Sequence, residues 1–272
     1  MVRENRPLDG GVHLLALEAP EVAAEAVPGQ FVHIRCSGGE DFWDPLLRRP
    51  ISIYDVDVAA GRVLLLVRRA GRGTRWLNGL APGSTVDLLG PLGRGFDLAV
   101  ASSGRDSRSG TPRGVFVAGG GIGVAPLVFL AKRLIALGAR VEAFVGAKDA
   151  ETLLGVEEFY ALEALVHIAT DDGSMGFHGD VVELMEKTLA EREGGQANRH
   201  LLPARIYACG PKPMLRRIQG SEPLKDIPCQ VSLEERMGCG IGACLGCTCL
   251  GKEGPLRVCA DGPVFWTEEL SW

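Results

Sequence analysis

The sequence lacks the features that mark several classes of protein. No stretch reaches the roughly 18 consecutive apolar residues that a membrane-spanning helix needs, although 46% of the 272 residues are hydrophobic. The net charge is −5 with both signs mixed, so we expect no basic surface for nucleic acid or anionic lipid. The N-terminal segment contains no apolar run typical of a secretory signal. We therefore expect a cytoplasmic protein in a reducing compartment, where disulfides are rare.

The sequence also lacks a recognisable arrangement of side chains for acid–base or nucleophilic catalysis. The five histidines are scattered without the spacing of metal ligands. No Ser–His–Asp arrangement and no pair of carboxylates suited to acid–base work stands out. We therefore assign no residue of this chain as a catalytic acid, base or nucleophile.

Two patterns of secondary structure follow one another, which predicts a multidomain protein with a β and an α/β part. Short β-rich segments bounded by proline and glycine fill residues 1–100 and predict an antiparallel barrel or sandwich. Over 114–225 strands alternate with helices, which predicts a parallel sheet covered on both faces. The polar stretches 101–114 and 191–203 are predicted to be a linker and a long loop. Periodicity ends in 228–272, a small segment that we expect a metal centre to hold together.

A cluster of cysteines near the C-terminus is the strongest chemical signal. The spacing Cys239-x4-Cys244-x2-Cys247, followed by Cys259, is the plant-type order of ligands to a [2Fe–2S] cluster. Zinc, which more often uses paired C-x2-C units, and a disulfide knot, which a reducing compartment disfavours, remain the alternatives. We interpret Cys249 as a neighbour that is not a ligand, and its exchange with Cys247 stays open.

Two glycine-containing motifs follow predicted strands of the α/β segment. "GGGIGVAP" at 119–126 opens a helix, where glycine backbone and a helix N-terminus suit a pyrophosphate; a tight strand-to-helix turn is the alternative. In "ACGPKPML" at 208–215, Cys209 is either a small buried residue or a group beside a planar ring. Ligands of parallel sheets bind beyond the carboxyl ends of the strands. The shared location therefore favours one nucleotide site.

Two basic motifs lie in the β-rich segment. In "RRPISIY" at 48–54, an arginine can pair with a phosphate and Ser52 can donate a hydrogen bond. "RRAGRGTRWL" at 68–77 offers Gly73 and Thr74 as further donors. The alternatives are an edge strand with solvated arginines and a hairpin turn, and the residues alone favour these alternatives.

Taken together, the motifs resemble the ferredoxin–NAD(P) reductase superfamily over almost the full chain. More narrowly, they resemble the electron-transfer subunits of the NAD-dependent, type B dihydroorotate dehydrogenases. "SLEERMGCGIGACLGC" and "RVCADGPVF" are the most specific of these motifs. The resemblance implies an FAD-binding β-barrel, an NAD-binding α/β domain and a C-terminal [2Fe–2S] domain.

The resemblance also implies the residues of each site. The FAD contacts would be Arg49, Pro50, Ile51, Ser52, Leu66, Val67, Arg68, Gly73 and Thr74. The NAD contacts would be Gly120, Gly121, Gly123, Cys209, Gly210 and Pro211. The cluster ligands would be Cys239, Cys244, Cys247 and Cys259.

The activity that the resemblance implies is electron transfer without dihydroorotate chemistry. A partner subunit with its own flavin, FMN, would oxidise dihydroorotate in de novo pyrimidine biosynthesis, in a heterotetramer of two subunits of each kind. Electrons would pass through the cluster and FAD to NAD⁺, because a flavin joins one-electron and two-electron carriers. The resemblance favours NAD over NADP, whereas the Lys148–Asp149 pair is ambiguous.

Two other functions stay open. One is a related FAD and iron–sulfur subunit of a hydrogenase or a ferredoxin-dependent transhydrogenase complex. The other is a zinc-stabilised binding module on a reductase-like scaffold, which would lack the visible absorption of an iron–sulfur cluster.

Overall fold

The structure is a computed structural model that describes residues 1–37, 45–102, 114–193 and 202–272. Residues 103–113 of the predicted linker (101–114) and 194–201 of the predicted loop (191–203) lie outside the described residues, while 191–193 form the end of a helix. No helix in the described part of the chain is long and apolar enough to cross a membrane.

The described elements follow one another in a β-rich, then alternating, then short-stranded order. The strands are β1 (Val2–Pro7), β2 (Val12–Glu18), β3 (Phe31–Ile34), β4 (Arg49–Asp57), β5 (Arg62–Arg68), β6 (Leu88–Leu92), β7 (Gly114–Gly120), β8 (Arg140–Ala147), β9 (Leu165–Thr170), β10 (Phe177–His178), β11 (Ile206–Cys209), β12 (Cys229–Ser232), β13 (Thr248–Gly251), β14 (Gly254–Arg257) and β15 (Val264–Trp266). The α-helices are α1 (Pro20–Glu25), α2 (Arg72–Asn78), α3 (Ala99–Ser102), α4 (Ala125–Ala136), α5 (Val156–Ala161), α6 (Val181–Glu193) and α7 (Lys212–Gly220).

The chain divides into two compact units. The first comprises Met1–Gly95 and Leu233–Val264, together with Ser271. The second comprises Phe96–Ser232 and Phe265–Leu270, together with Trp272. The cysteine-rich segment therefore belongs to the unit that begins with the N-terminal strands.

A six-stranded antiparallel sheet with the order β1-β2-β5-β4-β3-β6 forms the first unit. Its core contains fully buried side chains from neighbouring strands, such as Leu15, Ile53 and Leu65. Val2 in β1 exchanges backbone hydrogen bonds of 2.8 Å with Gly83 and Ser84, just before β6. These bonds connect β1, at one edge of the sheet, to the loop that leads into β6 at the other edge. The hairpin β13–β14 completes the unit.

The second unit is a seven-stranded sheet in the order β10-β9-β8-β7-β11-β12-β15, and its first six strands are parallel. Helix α4 has Pro126 in its first turn and buries its apolar side chains. At the start of α6, the Asp180 carboxylate accepts the N–H groups of Val182 and Glu183 at 2.9 and 3.1 Å, which is N-capping. The predicted fold class, an antiparallel β part followed by a parallel α/β part, is confirmed.

Several elements were not predicted from the sequence, among them helices α1 and α2 within the β-rich segment and strands β13 to β15 near the C-terminus. Strand β12 was not predicted, because its four buried residues directly follow a proline and show no alternation that could be recognised. Within the helical pattern of 151–165, the end of a short 3-10 turn (Ala150–Thr152) is separated from α5, which begins after Gly155. The left-handed φ of Gly155, 76°, and the contact that a Cβ there would make with Val124 at 2.7 Å explain the interruption.

Candidate cofactor sites

The four predicted cluster ligands form two neighbouring pairs within the first unit. The N–H of Cys244 donates to the Sγ of Cys239 at 3.4 Å, and their side chains also interact. The N–H of Cys259 donates to the Sγ of Cys247 at 3.4 Å, and these two thiols also interact. No three His, Cys, Asp or Glu side chains of the described residues are grouped around a position for one metal ion. A [2Fe–2S] cluster needs no such group, since each iron takes two of the four thiolates.

Backbone N–H groups point at the sulfur atoms of this loop. Those of Ile241 and Cys244 lower the pKa of Cys239 to about 6. The N–H of Gly242 donates to the Sγ of Cys259 at 3.1 Å. Burial, with the neighbouring Cys247 thiol, nevertheless raises the pKa of Cys259 to about 11. Such donors stabilise thiolate, the form that binds iron, and adjust the potential of a bound cluster.

Glycines keep the space beside the thiols open. A Cβ at Gly238 would be 3.1 Å from the Sγ of Cys244, and one at Gly246 would be 3.5 Å from the same atom. Gly242 has a φ of 83°, and a Cβ there would be 2.9 Å from that of Ala260. Larger side chains would enter the space in front of the sulfurs, so the residues present fit a group bound by these four cysteines.

An arginine connects the segment that contains Cys259 to the loop that contains Cys239, Cys244 and Cys247. Two guanidinium nitrogens of Arg257 donate to the Asp261 carboxylate at 2.9 Å each. A third contact runs from Nη1 of Arg257 to the carbonyl oxygen of Gly242 at 3.3 Å. Arg257 therefore links the segment of Cys259 to the loop that holds the other three cysteines. Cys249, in contrast, lies on β13 opposite Leu256 of the hairpin.

The predicted FAD residues lie on β4, on β5 and in the first turn of α2. Arg49 to Ser52 form the first half of β4, which pairs with β3. Leu66 and Val67, near the end of β5, are buried, whereas Arg68 is exposed. The buried pair therefore presents mainly backbone to any ligand.

The structure brings Arg49 against the "GRGT" turn. A Cβ at Gly73 would be only 2.6 Å from the Nε of Arg49, so a glycine is needed at this contact. Thr74 uses its hydroxyl to accept the N–H groups of Ala70 and Gly71 at 2.9 and 3.1 Å. Thr74 therefore shapes the turn, a role that the sequence analysis did not foresee.

The first arginine of "RRPIS" has a structural partner. Arg48 donates to the Asp87 carboxylate at 2.6 Å and to the carbonyl oxygen of His33 at 3.3 Å. Arg49 donates to the carbonyl oxygens of Leu47 and Arg48 but pairs with no carboxylate of the described residues, so it is the better candidate of the two for pairing with a phosphate.

The predicted NAD residues meet at the carboxyl ends of β7 and β11, which are paired in parallel. A Cβ at Gly123 would lie 2.4 Å from the carbonyl oxygen of Cys209, and one at Gly210 would lie 3.1 Å from the backbone N of Gly120. A Cβ at Gly120 would lie 2.9 Å from the Cδ of Pro211. The absence of side chains thus lets two backbone segments approach closely, as a nucleotide site on such a sheet requires.

Two further features complete this edge of the sheet. Gly121 starts the turn with a left-handed φ of 55°. Met214 packs its sulfur against both glycine segments, since a Cβ at Gly120 or at Gly210 would lie 2.7 Å from its Sδ. The sequence analysis did not single out Met214, because a methionine on a short helix carries no distinctive signal.

Comparison with known proteins identifies the family of the chain. The family model for the iron–sulfur cluster binding domain of dihydroorotate dehydrogenase B matches residues 234–271. The dihydroorotate dehydrogenase B (NAD⁺) electron transfer subunit of Desulforamulus reducens is 43% identical over 264 residues, which cover 96% of this chain and 92% of that protein. The subunit of the same name from Geobacillus kaustophilus is 43% identical and covers 89% of this chain and 86% of its own length.

A solved structure shows the same fold over the whole chain. It is that of an NADH-dependent reduced ferredoxin–NADP oxidoreductase, a protein described in connection with flavin-based electron bifurcation. It superimposes with a TM-score of 0.82 at 28% identity and covers 100% of this chain and 89% of its own. The fold is thus that of the ferredoxin–NADP reductases, and the sequence identities over nearly the full length show that the chain belongs to the family of dihydroorotate dehydrogenase B electron transfer subunits.

Proposed function

We propose that this chain carries electrons from a dihydroorotate-oxidising partner subunit to NAD⁺, in the biosynthesis of pyrimidines. The main support for this function comes from the four cysteines, which form two pairs and whose sulfur atoms accept hydrogen bonds from backbone N–H groups. The chain is an oxidoreductase subunit whose cofactors are a [2Fe–2S] cluster, FAD and NAD(H).

The proposed cluster ligands are Cys239, Cys244, Cys247 and Cys259. Their support is the pairing of the thiols and the glycines that leave room beside them. Cys249 is left out of the ligand set because it lies on a hairpin strand, whereas the Sγ of Cys247 accepts the N–H of Cys259.

The proposed FAD-binding residues lie on β4, on β5 and in the first turn of α2: Arg49, Pro50, Ile51, Ser52, Leu66, Val67, Arg68, Gly73 and Thr74. The contact between Arg49 and Gly73 supports this grouping, since it joins two motifs that are distant in sequence. The role proposed for Arg49 is a charge-assisted hydrogen bond to a phosphate oxygen of FAD.

The proposed NAD-binding residues are Gly120, Gly121, Gly123, Cys209, Gly210 and Pro211. Acidic side chains in the neighbouring loops favour NAD over NADP. Asp149 follows β8, and Asp172 follows β9 and accepts a hydrogen bond of 2.6 Å from the Ser174 hydroxyl. That bond and the backbone N–H of Ser174 lower the pKa of Asp172. Ionised carboxylates here would repel the additional phosphate of NADP.

When they are bound, nicotinamide exchanges a hydride, the cluster exchanges single electrons and the flavin does both. The residues of this chain then bind and orient these groups, and their N–H groups and charges adjust the potentials. No side chain is needed as a general acid or base.

The family name implies a catalytic partner subunit. We extend this to a heterotetramer with two copies of each subunit and to a location in the cytoplasm, where thiol ligands stay reduced. We also propose three functional segments, 1–100 for FAD, 114–225 for NAD and 228–272 for the cluster.

A subunit of a hydrogenase or transhydrogenase complex is the second candidate function. The full-length structural match favours it, because that protein is named for reduced ferredoxin and NADP and not for dihydroorotate. The identity is 28% there and 43% for the dihydroorotate dehydrogenase subunits, so the first function is the better supported.

The decisive experiment reconstitutes this chain with the dihydroorotate dehydrogenase catalytic subunit of the same organism. We expect NADH to form from dihydroorotate and NAD⁺ only when both chains are present. The Cys244→Ser variant of this chain is expected to abolish coupling, and Cys249→Ser to preserve it. A cofactor-loaded protein that NADH reduces, but that does not couple to the catalytic subunit, would refute the pyrimidine role and favour the second candidate.

A further inference from the structure

One buried histidine lies between the proposed iron–sulfur loop and the proposed flavin strand. His33, on β3, is 0% exposed. Within the described residues, neither of its ring nitrogens has a hydrogen-bond partner at standard distance and angle. A buried polar atom without a partner destabilises the folded state by about 1–3 kcal/mol. An apolar side chain of the same size would therefore make this position more stable. The retention of an imidazole therefore needs an explanation.

The ring lies directly against the loop that contains Cys239 and Gly240. A Cβ at Gly240 would be 2.5 Å from the Nδ1 of His33, and Gly240 itself has a left-handed φ of 74°. Only glycine suits a position that combines this φ with this contact. The same turn directs the N–H of Ile241 to the Sγ of Cys239 at 3.5 Å. The ring therefore supports the turn that supplies a donor to a proposed ligand.

The other side of His33 belongs to the flavin strand pair. On β3 it lies opposite Pro50 of β4, next to Arg49. Its carbonyl oxygen accepts a hydrogen bond from Arg48 at 3.3 Å. Burial lowers the pKa of His33, while the backbone groups of Cys239 and Arg48 oppose that shift. The ring thus lies close enough to the backbone of Cys239 and of Arg48 to interact with both, one in each proposed cofactor site.

We propose that His33 is a positioning residue of the iron–sulfur site, whose polar ring holds the Cys239–Gly240 turn against the strands that bind FAD. This inference rests on the proposed cofactor sites. It goes beyond them in assigning to a residue of the barrel an influence on the reduction potential of the cluster. The physical reason is that hydrogen bonds to sulfur favour the more negative, reduced cluster. A turn that loses its support would weaken those bonds and lower the potential.

The test is a redox titration of the complete, cofactor-loaded chain, followed by the electron paramagnetic resonance of the reduced cluster. His33→Leu keeps an apolar side chain of similar bulk and removes the polar atoms, whereas His33→Gln keeps an N–H donor. His13→Leu is the matched control, because His13 is a half-buried histidine of the same sheet that contacts Asn5 at 3.0 Å. FAD and iron contents are measured in every variant.

We expect His33→Leu to shift the reduction equilibrium of the cluster about tenfold towards the oxidised form, which is about 59 mV for one electron. His33→Gln should stay within about threefold of the wild type, or about 28 mV on the same scale. His13→Leu should match the wild type.

An unchanged potential in a fully loaded His33→Leu protein would overturn the proposal, as would an equal fall in the Leu and Gln variants. If His33→Leu does not assemble a cluster, His33→Gln decides: a full cluster near the wild-type potential supports the proposal, and a tenfold fall overturns it. A wild-type chain without any cluster signal would instead refute the proposed function.

Discussion

The substitution Gly123→Ala tests whether the close approach of two backbone segments builds the nucleotide site. The added Cβ would lie 2.4 Å from the carbonyl oxygen of Cys209, 2.6 Å from its carbonyl carbon and 2.7 Å from the Cα of Gly210. All three atoms belong to the backbone at the end of β11, which is paired on both sides, with β7 and β12. No side-chain rotation can therefore relieve the contact.

The magnitude follows from the distance that the segments must move. Carbon atoms in contact prefer about 3.5–4.0 Å, so the two segments must separate by about 1 Å. Overpacking of a buried site costs about 1–3 kcal/mol, and the rigid surroundings favour the upper part of this range. We expect the free energy of unfolding of this unit to fall by about 2–3 kcal/mol. The affinity for NADH should fall at least about tenfold, which corresponds to about 1.4 kcal/mol.

The assays are urea unfolding of the cofactor-loaded chain and titration with NADH. Gly220→Ala is the matched control, because a Cβ at the end of α7 meets nothing within 4 Å. Alanine is the better helix former, so this control should be neutral or stabilising by up to about 1 kcal/mol. A Gly123→Ala protein with the wild-type unfolding midpoint and wild-type NADH affinity would refute the reasoning.

Three further predictions follow from the other sites. Cys244→Ser should remove the visible absorption of the cluster while FAD is retained, and Cys249→Ser should keep both; full cluster absorption in the first variant would contradict the ligand assignment. Arg49→Ala should weaken FAD binding about 10- to 100-fold, because a hydrogen bond to a charged group contributes about 1.5–3 kcal/mol. If the variant keeps its FAD after dialysis as the wild type does, Arg49 has a structural role and does not bind the phosphate. Glu142→Gln should lower the free energy of unfolding by about 3 kcal/mol at pH 7, as expected when one partner of a buried ion pair is removed, and this loss should shrink at acid pH.

The difference in the free energy of unfolding between the wild type and Glu142→Gln should decrease as the pH falls. Burial by itself would raise the pKa of Glu142, but hydrogen bonds from His167 and Arg192 and the nearby arginine charges outweigh it and lower the pKa below its ordinary value of 4.5. The carboxylate therefore contributes its stability above about pH 4.5 and loses it as the pH falls through the lowered pKa. Wild-type and Glu142→Gln unfolding curves should converge under acid conditions, and a constant difference down to pH 3 would contradict this sign.

The sequence was most informative where chemistry depends on spacing along the chain. The cysteine order indicated the type of cluster, since three of the four proposed ligands lie close together in one glycine-rich loop. The strands and helices of the α/β part were also predictable, because burial on one or both faces leaves a periodic pattern. The interrupted helix before β9 was not, because Gly155 is required there by its φ and by Val124, a residue distant in sequence.

Only the tertiary structure revealed the contacts between segments that are far apart in the chain. The sequence by itself indicated an iron–sulfur cluster from the cysteine spacing, and FAD and NAD through the family resemblance, but it could not tell Arg48, which pairs with Asp87, from Arg49, which meets Gly73. Nor did any pattern mark His33, because the packing of its ring against Gly240 leaves no period and no spacing in the sequence. Local signals record the residues that bind a group, whereas the residues that hold those ligands in position are specified only when distant strands and loops pack together.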